Sequence, residues 1–118
     1  MQLSELSQVG RAPELPLMLE VAGEPLILER LLRVLPGQRY VAVARWHERL
    51  VLAKLLVGSK SQRHFQRELE GAELMVGQGL VTPELLAQGF IEGQGGWLLF
   101  DYLSGAQSLW DEIGRAHV

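Results

Sequence analysis

Two charged residues fall in segments whose patterns predict burial. Lys54 stands in the middle of the apolar run at residues 50–57 and is one of only two lysines in the chain. Glu68 lies on a stripe with helical spacing that includes Phe65 and Ala72. A charge inside a protein is costly unless it is paired. The two patterns therefore predict a buried ion pair between Lys54 and Glu68.

Each of these two side chains also has a simpler interpretation. Lys54 can extend from an edge strand to water. Glu68 can lie at the margin of the stripe and be solvated; Glu70 is then the alternative partner, although it falls off the stripe. The first half of the same helix carries four further basic or histidine side chains, which indicate a solvated face or, alternatively, contact with another lobe or an anionic substrate: Lys60, Arg63, His64 and Arg67.

The elements that carry these two residues predict an α+β fold. Residues 26–57 are interpreted as three antiparallel strands, although a helix over residues 25–35 is a competing interpretation. A helix follows to about Val76, then strands at 85–91 and 97–102 and a short helix at 108–113. We therefore predict a five-stranded, mostly antiparallel sheet with one long packed helix and an extra N-terminal strand at 17–21. Residues 1–16 are expected to be a loose arm, and residues 17–113 a single domain.

Composition excludes several classes of function. The 118 residues suit one core, and a net charge of −3 gives no reason to expect nucleic-acid binding. There are no cysteines, so thiolate chemistry does not arise. No histidine and carboxylate spacing suggests a metal site or a hydrolytic triad, and a Walker A loop is absent. Without a signal peptide or a membrane-length apolar run, we expect a cytoplasmic protein.

The order of elements resembles the N-terminal lobe of protein-kinase-like enzymes. Residues 51–54, Val-Leu-Ala-Lys, are similar to the strand-three motif whose lysine holds the α- and β-phosphates of ATP. Glu68 falls at the position of the helix αC glutamate that pairs with this lysine. Residues 100–105 resemble the gatekeeper and hinge. Residues 32–39, Leu-Arg-Val-Leu-Pro-Gly-Gln-Arg, more narrowly resemble the lipopolysaccharide-core sugar kinases, the Kdo and heptose kinase family.

This resemblance implies roles for further residues. The backbone of Asp101 and Leu103 would meet the adenine edge, and Gly37 would approach a phosphate. The pocket wall would include Val41, Leu52 and Phe100. Two departures stand out, since the Gly-rich loop of kinases is absent and Leu52 occupies a position where kinases carry a small alanine.

The resemblance implies an ATP-binding lobe rather than a complete enzyme. A kinase needs one Asp as catalytic base and another to hold Mg²⁺, but the only aspartates are Asp101 and Asp111, and neither lies in such a motif. ATP and Mg²⁺ are the cofactors expected of the intact enzyme. Its other parts would be a missing C-terminal lobe and a lipopolysaccharide core sugar as substrate, at the inner face of the inner membrane. The alternative is a non-catalytic, pseudokinase-like interaction module that self-associates through the face a C-lobe would cover.

Overall fold

A single antiparallel sheet of six strands and one long helix make up the structure, a computed structural model that describes residues 1–79 and 83–102. The strands are β1 (Leu17–Val21), β2 (Glu24–Leu35), β3 (Arg39–Trp46), β4 (Arg49–Leu56), β5 (Leu85–Ile91) and β6 (Gly95–Asp101), and the helix is α1 (Ser61–Gly77). The predicted α+β class is confirmed. The sheet has six strands rather than five because β1, the predicted extra strand, joins the same sheet. The predicted short helix at 108–113 lies outside the described residues.

The strand order, β1-β2-β3-β4-β6-β5, places β4 inside the sheet between β3 and β6. Lys54 therefore does not lie on an edge strand, and the interpretation that its side chain extends from an edge strand to water is wrong. The β3–β4 hairpin turns at His47 and Glu48, which have φ values of 49° and 63°. Positive φ at both central residues is the geometry of a tight hairpin turn that matches strand twist.

Residues 24–35 form strand β2, so the competing helix is excluded over these residues. Leu26 and Leu28 are both fully buried while Ile27 is only half-buried, which is the period-two alternation of a strand. The pairing with β3 is interrupted by irregularities between Leu28 and Arg30 and between Leu31 and Arg33. Such bulges change the direction in which the following side chains point.

The two faces of the sheet are both buried but differ in composition. We call one the apolar face; its strand residues include Tyr40, Ala42, Ala44, Val51, Ala53, Leu55, Trp97 and Leu99. We call the other the helix face; α1 packs on it through Phe65, and its strand residues include Val41, Leu52, Leu56, Leu98 and Phe100. Because alternate strand residues point to opposite faces, Lys54 shares the helix face with Leu52 and Leu56.

The N-terminal residues differ from the predicted loose arm. Leu3–Gln8 form a 3-10 helix whose Leu3 and Leu6 side chains are buried in the core of the apolar face. The main chain is also tied to β1, since the Glu20 amide donates to the Met1 carbonyl at 2.8 Å. Burial of two leucines supplies the free energy that orders this segment.

Helix α1 lies close to the sheet because β6 begins with glycines. A Cβ atom added at Gly96 would lie 2.8 Å from the ring of Phe65, closer than packed atoms approach. Along α1, Ser61, Phe65 and Glu68 are buried while Gln62, Gln66 and Arg67 are exposed, which confirms the predicted helical stripe. The close approach of α1 to β6 holds Glu68 against the sheet.

Candidate functional site

The predicted contact between Lys54 and Glu68 is confirmed. The Lys54 Nζ atom donates to the Glu68 Oε2 atom at 3.0 Å, and each side chain is only 2% exposed. The sheet supplies the lysine from β4 and α1 supplies the carboxylate from its buried stripe. The Nζ atom also lies 5.7 Å from the centre of the Phe100 ring, within the range of a cation–π contact.

A second cation, Arg39, completes the cluster and was missed by the sequence reasoning. Its Nη1 atom lies 3.0 Å from Glu68 Oε1, which forms a second ion pair, and its side chain is 11% exposed. In the β3–β4 register, Val41 pairs with Lys54 and Arg39 pairs with Leu56. Arg39 and Val41 therefore share the face of Lys54, and this alternation was the available signal.

Burial lowers the pKa of the Lys54 ammonium below its usual 10.5 because the charged form loses hydration. The charge and the hydrogen bond of Glu68 oppose this shift, whereas the positive charges of Arg39 and Arg33 add to it. The Lys54 ammonium thus lies among groups of both signs in a region poor in water. An anion reaching it would interact more strongly than it would with a surface lysine.

The four basic or histidine residues at the start of α1, Lys60 just before it included, divide into two groups. Lys60, Arg63 and Arg67 are exposed, in agreement with the solvated-face interpretation. His64 is half-buried, and its Nδ1 atom is buried without a hydrogen-bond partner among the described residues. Burial lowers the pKa of His64 below 6.5, and the nearby charges of Arg39, Arg67, Lys60 and Arg63 lower it further. His64 is therefore disposed to remain neutral near pH 7.

The apolar residues assigned to the adenine pocket lie with Lys54 on the helix face. Val41 and Phe100 are 6% exposed and Leu52 is 1% exposed, and all three belong to one buried cluster. Leu52 pairs with Phe100 across β4 and β6, two residues along the strand from the Lys54–Leu98 pair. The structure makes these three residues part of the core, and their contact with adenine stays a prediction.

The other predicted nucleotide contacts lie in a turn and at a strand end. Gly37 is in the β2–β3 turn with a φ of 75°, and its amide donates to the Tyr40 hydroxyl at 3.4 Å. Asp101 ends β6; its carboxylate pairs with Arg49 at 2.8 Å, and its amide donates to the Glu84 carbonyl. Both amides are thus engaged within the domain. Leu103 lies outside the described residues.

Within residues 1–79 and 83–102, no three His, Cys, Asp or Glu side chains are grouped so as to hold a metal ion. In the same residues no helix has the length and apolar character needed to cross a membrane. No protein family, curated protein or solved structure matches the chain.

Proposed function

We propose that this domain binds the phosphates of ATP through Lys54, with Glu68 holding the lysine in place. The observation that carries the proposal is the 3.0 Å contact between Lys54 on an inner strand and Glu68 on the following helix. In protein kinases a strand lysine contacts the nucleotide phosphates, and the αC glutamate must pair with it for activity. The same residue types meet here on elements in the same chain order.

Burial supports this role over a purely structural one. A buried ion pair adds little to stability, because the loss of hydration offsets the attraction between the charges. Apolar residues of similar volume would fill the same space at no electrostatic cost. Lys54 and Glu68 are each 2% exposed beside a cluster of apolar side chains, so their burial is more readily explained by binding than by folding.

We further propose that the domain is the ATP-binding lobe of a sugar kinase similar to the lipopolysaccharide-core (Kdo and heptose) kinases. In the complete enzyme the γ-phosphoryl group would pass from ATP to a sugar hydroxyl, leaving ADP. A C-terminal lobe would supply the base that takes the hydroxyl proton and the ligands for Mg²⁺. Lys54 would orient the α- and β-phosphates and offset their negative charge. The 118 residues alone should not catalyse this transfer.

The presence of only two lysines makes this proposal directly testable. In protein labelled at its lysine side chains, ATP with magnesium should shift the Lys54 ammonium signal in NMR spectra, and adenosine should not. The dissociation constant is expected to be millimolar or weaker, because this lobe would provide only half of the binding site. Absence of any ATP-dependent shift at Lys54 would overturn the proposal and favour the non-catalytic alternative.

Matched substitutions distinguish a specific role of Lys54 in ATP binding from a general effect of surface charge. Lys54→Met should abolish ATP binding by calorimetry or NMR, whereas Lys60→Met should leave it unchanged because Lys60 is exposed at the start of α1. Equal losses in the two variants would mean that ATP binds only through surface charge.

A further inference from the structure

Glu68 is shared between two cations, with one carboxylate oxygen facing each. Arg39 Nη1 lies 3.0 Å from Oε1, and Lys54 Nζ lies 3.0 Å from Oε2. The cations come from neighbouring strands, β3 and β4, while the carboxylate comes from the helix. The lysine–glutamate pair implied by the kinase resemblance is therefore one of two ion pairs in a three-residue cluster.

The two cations differ in what they can do while keeping Glu68 in place. The arginine guanidinium is a planar group whose N–H donors are preorganised. The lysine ammonium is a single point with rotatable N–H groups. When Lys54 turns N–H groups toward phosphate oxygens, its attraction to Glu68 weakens. A buried carboxylate deprived of its cation is costly, and Arg39 removes most of that cost by holding the other oxygen.

Arg39 is well placed for this role because the turn before it is fixed on two sides. The Val57 amide donates to the Gln38 carbonyl at 2.8 Å. A Cβ atom at Gly58 would lie 2.5 Å from the Gly37 carbonyl oxygen, so the two backbones touch. The Tyr40 hydroxyl donates to the Gly10 carbonyl at 2.7 Å. The guanidinium thus extends from a backbone held by both β4 and the N-terminal segment.

We propose that Arg39 is a positioning residue that anchors Glu68 independently of Lys54, so that Lys54 can engage the phosphates of a nucleoside triphosphate without releasing the carboxylate. This inference rests on the proposed function, because it assumes that Lys54 contacts phosphate. In this proposal Arg39 contacts Glu68 and does not bind the nucleotide itself.

The test compares Arg39→Met and Arg39→Lys with a matched control on the same strand. Arg45 also pairs with one glutamate, Glu29, but its side chain is 45% exposed. ATP with magnesium is titrated into each folded, lysine-labelled protein while the Lys54 signal is followed. Arg39→Met should weaken ATP binding about tenfold, equivalent to about 1.4 kcal/mol. Arg39→Lys should restore most of the affinity, and Arg45→Met should match the wild type.

The pKa of Lys54 provides a second readout, because it reports on the charges at the cluster rather than on the stability of the fold. Because Arg39 lowers the pKa of Lys54, that pKa should rise in Arg39→Met and return toward the wild-type value in Arg39→Lys. If Arg39→Met does not fold, Arg39→Gln takes its place, with the same expected loss of affinity.

The possible failures are distinguishable. Wild-type affinity in a folded Arg39→Met variant would overturn the positioning role while leaving the proposed function intact. Failure of ATP to shift Lys54 in the wild-type protein would overturn the proposed function, and the role of Arg39 with it.

Discussion

The two faces of the sheet both contain a buried cluster but differ in the number of buried charges. Among the residues that the structure describes, the apolar face contains no buried charge and is closed by leucines of the N-terminal 3-10 helix. The helix face contains Arg39, Lys54 and Glu68, whose side chains are each 11% exposed or less. Apolar burial alone stabilises a fold without electrostatic cost, so the buried charges are our reason for proposing a binding site on the helix face.

The largest expected effect concerns the carboxylate of the helix face. Glu68→Ala would leave two buried cations without the carboxylate that they share, and we expect a loss of about 3–5 kcal/mol in the free energy of unfolding. Urea denaturation measures this loss. Glu29→Ala is the matched control, because Glu29 makes an exposed pair with Arg45 and should cost about 0.5 kcal/mol or less. Equal costs for the two variants would contradict the burial of the cluster.

The next effect concerns the apolar face. Leu6→Ala should cost about 3 kcal/mol, because Leu6 is fully buried and its truncation leaves a cavity. Met18→Ala on β1 should cost about 0.5 kcal/mol or less, since Met18 is 58% exposed. Unfolding curves of both variants provide the measurement. A Leu6→Ala variant with unchanged stability would indicate that residues 3–8 form the loose arm predicted from the sequence.

A smaller effect is expected when the helix face loses a cation instead of its anion. In Lys54→Met, Glu68 keeps its ion pair with Arg39, and an apolar chain replaces a buried charge. The free energy of unfolding should change by no more than about 2 kcal/mol in either direction. Thermal and urea unfolding should therefore show a folded Lys54→Met protein, with Lys60→Met as its control. An unfolded Lys54→Met protein at room temperature would mean that Arg39 does not hold the carboxylate.

The smallest effect depends on pH and again belongs to the helix face. The pKa of His64 is lower in the folded protein than its ordinary 6.5, so the unfolded chain binds the proton more readily. Stability should therefore fall as the pH decreases from above 6.5 toward the folded-state pKa. His64→Gln should lose less stability than the wild type between pH 7 and about pH 5. Parallel losses in the two proteins would show that other groups account for the pH dependence.

Local patterns were sufficient to predict most of the secondary structure and two of the three residues of the cluster. The continuous apolar run of β4 and the 3.6-residue spacing of α1 placed Lys54 and Glu68 on buried surfaces, and the cost of burying an unpaired charge then predicted that they pair. Turn residues marked the hairpins. These features depend on residues close together in the chain, so they can be read without knowing the rest of the fold.

The sequence alone therefore determined that a buried lysine and a buried glutamate lie on successive elements of an α+β domain. Only the tertiary structure decided that Arg39 shares the glutamate, because that contact depends on the register of β3 beside β4 and on the depth at which α1 packs. It also decided that Leu3 and Leu6 close the apolar face, since their burial requires a sheet formed by residues far along the chain. Contacts of this kind join segments whose separate patterns carry no information about one another.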